Sequence, residues 1–105
     1  MINNYPTEIT PEVLEKAKNL SNDQVFADLC GASQDLEKNK KLVESYKLQA
    51  EAYKVGTTSW RIACFRRDGY GYAVQKSEEE VTFLKALLEA RGFEIIKGKI
   101  RLKKG

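Results

Sequence analysis

Arg61, Arg67, Tyr70 and Tyr72 crowd one short stretch, and Lys99, Arg101 and Lys103 recur at every second position near the end of the chain. Planar aromatic rings can stack on unpaired bases, and arginine and lysine can neutralise phosphates. The same mixture suits an acidic protein surface. Little else in the sequence could do chemistry. There is no histidine, so the commonest general base and metal ligand is missing and none is there to activate a serine, threonine or cysteine, which leaves Tyr, Lys or Glu as the groups through which an enzyme could act. The acids gather mainly at helix starts and on helix surfaces. Neither a Walker loop nor a Rossmann fingerprint is present. A non-catalytic protein with no cofactor and no metal is therefore expected.

The elements that must position these residues follow from local pattern. Asp68-Gly69 tolerates positive φ at both positions, as a type I′ turn requires, and β-branched, aromatic and arginine residues flank it. This predicts a β-hairpin over 60–75. Alternation places Arg61, Ala63, Phe65, Arg67, Tyr70, Tyr72 and Val74 on one face and Trp60, Ile62, Cys64, Arg66, Gly71, Ala73 and Gln75 on the other. The first face is the candidate binding face. Its alternative role is a second core layer.

Upstream, residues 1–9 read as an extended lead-in. Thr10-Pro11 opens a helix whose apolar face is Val13, Leu14, Ala17 and Leu20. Ser21-Asn22-Asp23-Gln24 is a capping box for a short second helix, with Val25, Phe26, Leu29 and Cys30 inward and Gly31 as its stop. Ser33 then caps a long third helix, about 34–55, ended by Gly56. Leu36, Val43 and Ala50 recur every seven residues, with Tyr46 and Tyr53 between them. That spacing predicts either a homodimer seam or a long helix within one domain. Downstream, Ser77-Glu78-Glu79-Glu80 caps a core helix over 78–91, with Val81, Phe83, Leu84, Leu87, Leu88 and Ala90 on its apolar face. Phe93–Ile96 and Lys99–Lys103 read as strands around a turn or bulge at Lys97-Gly98.

The expected fold is thus α+β in a single domain, 1–105. Residues 1–56 are helical (three helices, the third long). Residues 57–105 run β-β-α-β: a hairpin, a core helix and a C-terminal strand or hairpin. At 105 residues and 42% hydrophobic, one core is affordable. No run is apolar enough to span a membrane and no signal-peptide pattern opens the chain. Cys30 and Cys64 read as buried thiols, so the expected location is cytoplasmic. The net charge of +3 is uneven: −2 over residues 1–56 and +5 over 57–105.

Two motifs carry resemblances. Ala27-x-x-x-Gly31-x-Ser33 has the spacing of a helix-turn-helix, and a following hairpin would make it similar to a winged helix. Gly69-Tyr70-Gly71-Tyr72-Ala73-Val74, followed by an acid-capped helix and Ile96–Leu102, resembles the carboxy-terminal half of an RNA-recognition motif, which implies base stacking on Tyr70 and Tyr72. Asp68 and Gln75 depart from that pattern, and the chain is not assigned to the family. The function expected is a small nucleic-acid-binding module, for DNA or RNA, using Arg61, Arg67, Tyr70, Tyr72, Lys99, Arg101 and Lys103. The alternative is an inhibitor or adaptor that docks on a larger protein complex.

Overall fold

A computed structural model of the chain describes residues 8–97 and 99–103. The lead-in at 1–7 and Gly98 lie outside the described residues. The element order is α1 (Pro11–Ala17), α2 (Asn22–Ala52), α3 (Thr58–Ala90), β1 (Phe93–Ile96) and β2 (Lys99–Leu102). The α+β reading is overturned: three helices account for most of the chain, and the only sheet among the described residues is the two-stranded C-terminal one.

The principal correction is at 60–75. This stretch is not a hairpin but the interior of α3, and the core helix read over 78–91 is the last part of the same helix. Its burial follows the helical period. Trp60, Ala63, Cys64, Arg67, Tyr70, Gly71, Val74 and Ser77 are shielded, whereas Arg61, Ile62, Phe65, Arg66, Asp68, Gly69, Tyr72 and Gln75 are exposed. An Asp-Gly pair favours a turn only locally. Each glycine costs a helix about 1 kcal/mol relative to alanine, and the 33-residue helix runs through both. Neither Gly69 nor Gly71 has positive φ.

Gly31 likewise fails to stop a helix, and Ser33 caps nothing, because α2 runs through both. This removes the turn of the helix-turn-helix reading. The loss of strand at 69–74 removes the stretch that resembled an RNA-recognition motif. Cys30 is exposed and Cys64 half-buried, so neither is the buried thiol expected.

The caps explain where the helices begin. Thr10 Oγ1 accepts from the Val13 amide at 3.3 Å, with Pro11 at the first helical position. Ser21 Oγ accepts from the Gln24 amide at 3.1 Å. The Gln24 side chain donates to Asp28 Oδ1 at 2.8 Å, so the capping box forms by half. Thr57 Oγ1 accepts from the Trp60 amide at 3.2 Å and starts α3. Gly92, at φ +92°, follows its end.

The chain divides into two compact units. One comprises the described residues up to Ala32 together with those from Glu79 onward. Val25, Leu29, Ala32, Val81, Phe83, Leu84, Leu87 and Leu88 are buried in it, and Leu87 and Leu88 are fully enclosed. Arg91 ties its parts together, donating to Asn22 Oδ1 at 3.0 Å and to the Ala17 carbonyl at 2.9 Å. Phe26 meets Phe93 edge to face at 5.4 Å. The strands pair antiparallel, Glu94 with Arg101 and Ile96 with Lys99. The Lys103 amide closes the ladder on the Gly92 carbonyl at 2.8 Å.

The other unit, Ser33–Glu78, contains the second part of α2 and the first part of α3, joined through residues 53–57. Its buried hydrophobic residues are Ala50 and Ala63 alone among the described residues.

Candidate functional site

Within the 33–78 unit, the two helix segments meet through aromatic and arginine side chains. Tyr46 of α2 and Tyr70 of α3 stack with centroids 5.6 Å apart and planes 2° from parallel. The Arg66 guanidinium lies over the Tyr46 ring, 5.7 Å from its centroid. Beside this cluster is a solvent-open cleft of about 120 Å³, lined by Tyr46, Gln49, Tyr53, Ser59, Ile62, Ala63 and Arg66.

From the cleft an apolar stripe runs along α3. Ile62, Phe65 and Tyr72 are 46%, 80% and 62% exposed. Their spacing of three and then seven residues, with Gly69 between, puts them on one helix face. Lys76, one turn beyond Tyr72, places its ammonium 5.5 Å from the Tyr72 ring centroid. Leu48, Tyr53 and Val55 of the same unit are also exposed. Residues 33–78 hold nine Lys+Arg against six Asp+Glu, so the whole net charge of +3 lies here and the rest of the chain is balanced.

The residues expected to bind nucleic acid fall in both units. Arg61 is exposed on α3. Arg67 donates to Asp68 Oδ1 at 3.1 Å, and this hydrogen bond, with the charge of Asp68, raises the guanidinium pKa above its ordinary value. Tyr70 is engaged with Tyr46. Of the two tyrosines, Tyr72 is the one with an exposed ring. Lys99 and Arg101, on β2, and Lys103, just after it, are exposed in the other unit, where Arg101 pairs with Glu94. Among the residues read as a dimer seam, Leu36 and Val43 are half-buried, Tyr46 stacks on Tyr70, Ala50 is buried and Tyr53 is exposed.

Sequence reasoning placed Ile62 and Arg66 on the face opposite Phe65, and so missed the cleft. The signal was available: Ile62, Phe65, Gly69 and Tyr72 follow the helical period as well as Phe65 and Tyr72 follow the strand period.

Among the described residues no group of three or more His, Cys, Asp or Glu could hold a metal ion, and no helix is long and apolar enough to cross a membrane. Comparison of the chain with protein-family models, with curated proteins and with solved structures returned no match.

Proposed function

We propose that the protein is a non-catalytic binding module that docks on a protein partner through the 33–78 unit. One observation carries this reading: the unit buries two alanines while leaving Leu48, Tyr53, Val55, Ile62, Phe65 and Tyr72 exposed. Of these, Ile62, Phe65 and Tyr72 share one face of α3, and a helix face with large anchors a turn or more apart fits a groove in another protein. Phe65 is the central anchor, because aromatic residues dominate binding energy at such interfaces.

A photoreactive residue at position 65, compared with one at the exposed position 85, tests this in lysate of the source. A discrete protein adduct from position 65 alone, insensitive to nuclease and to salt, is expected. Equal labelling from both positions would remove the reading.

A second reading is favoured by the charge. The unit holds all of the net +3, and exposed Tyr72 has the Lys76 ammonium 5.5 Å from its ring centroid. Under this reading single-stranded nucleic acid stacks on Tyr72 and Phe65, and the position-65 adduct is lost on nuclease treatment and weakens steeply with salt.

A further inference from the structure

We propose that the cleft beside Arg66 is a socket for one apolar side chain of an acidic helix in the partner, whose neighbouring carboxylate pairs with Arg66. This rests on the protein-docking reading and names the chemistry of the partner.

Size comes first. At about 120 Å³ the cleft is small. Sites for cofactors and drug-sized ligands run from about 300 to 1,000 Å³. A cleft of this size can seat one side chain. Its walls mix Tyr46, Tyr53, Ile62 and the buried Ala63 with Gln49, Ser59 and Arg66, so they suit an apolar side chain that has a polar neighbour beside it.

Charge comes second. Arg66 lies at the edge of this apolar surface, positioned by the Tyr46 ring, and makes no ion pair among the described residues. Its planar fork of donors matches a carboxylate. Arg61 and Lys76 lie along the same stretch of α3, and the unit is +3 overall. A second copy would bring like charges together, whereas an acidic helix complements them. A base is the poorer occupant here, because the Tyr46 ring already has Tyr70 stacked on it and Arg66 over it.

The test uses the full chain and four probes: a 16-residue amphipathic peptide of Leu and Glu at helical spacing, a scrambled peptide of the same composition, a Leu/Lys counterpart, and a 20-nucleotide dT strand. Binding is followed by fluorescence anisotropy and by amide shifts at Gln49, Ile62 and Ala63. The ordered Leu/Glu peptide is expected to bind and to move those amides. Arg66→Gln should weaken it roughly tenfold, the loss of one charge-assisted pair. Ser59→Leu, at an exposed lining position, should obstruct the cleft and weaken it too. Lys85→Gln should change nothing.

Equal binding by the Leu/Lys peptide would overturn the acidic partner while leaving protein docking in place. Equal binding by the scrambled peptide, or an unchanged affinity in both Arg66→Gln and Ser59→Leu, would overturn the socket. Amide shifts at the cleft produced by the dT strand and by no peptide would overturn both this proposal and the docking reading.

Discussion

The two units put similar amounts of helix to different uses. Among the described residues, the unit formed by the chain up to Ala32 and from Glu79 onward buries nine hydrophobic residues, among them Phe83, Leu84, Leu87 and Leu88. The 33–78 unit buries Ala50 and Ala63 and leaves six large apolar side chains in water. Enclosing a Leu or Phe contributes about 1.5–3 kcal/mol; an alanine contributes far less. The first unit therefore has a stabilising core, and the second presents its apolar surface outward. Charge divides the same way, balanced in the first unit and +3 in the second. A helix alone does not define a core. What matters is which of its faces has something to pack against, and the face at Ile62, Phe65 and Tyr72 is open to solvent.

The largest expected effect lies in the core. Leu87→Ala should cost about 2–5 kcal/mol in chemical denaturation, because a fully enclosed side chain leaves a cavity. Next come the helix glycines. Gly69 and Gly71 have open space where a Cβ would sit, so Gly69→Ala and Gly71→Ala should each stabilise by about 1 kcal/mol. A hairpin turning at Asp68-Gly69 demands the opposite sign at Gly69, since alanine resists positive φ.

A smaller effect is expected in the C-terminal hairpin. Lys97 sits at φ 52°, where asparagine is better tolerated, and Lys97→Asn should raise stability by roughly 0.5 kcal/mol, read as a shift in denaturation midpoint. The smallest belongs to the exposed stripe. Phe65→Ala should change stability by under about 0.5 kcal/mol while removing the position-65 interaction. A loss comparable to that of Leu87→Ala would erase the distinction between the units.

Much of the first unit was legible in the sequence. Thr10-Pro11 and the Ser21 cap start helices where expected, since a hydroxyl accepting an amide hydrogen bond is a local device. Of the face read as core on this stretch, Val81, Phe83, Leu84, Leu87 and Leu88 are buried and Ala90 is exposed. Phe93–Ile96 and Lys99–Leu102 pair as strands. Residues 60–75 were misread because two periods coexist there. Alternation and an Asp-Gly pair argue for a hairpin. Trp60, Ala63, Cys64, Arg67, Tyr70 and Val74 recur as a helix face, and the structure follows that period. Gly31 misled in the same way: an isolated glycine permits a stop without requiring one. The cleft depends on side chains far apart in sequence, Tyr46 and Tyr53 on one helix and Ile62 and Arg66 on the next, so no local pattern announces it.

Hydrogen exchange along α3 tests the contrast between the units most directly, because one helix contributes to both. Amides of residues 84–90 are expected to exchange only through global unfolding. Amides of residues 62–76 should open locally at lower free energy, because few buried contacts hold them. Uniform protection from 62 to 90, or slowest exchange in 62–76, would contradict the division into a stabilising core and an outward-facing binding unit.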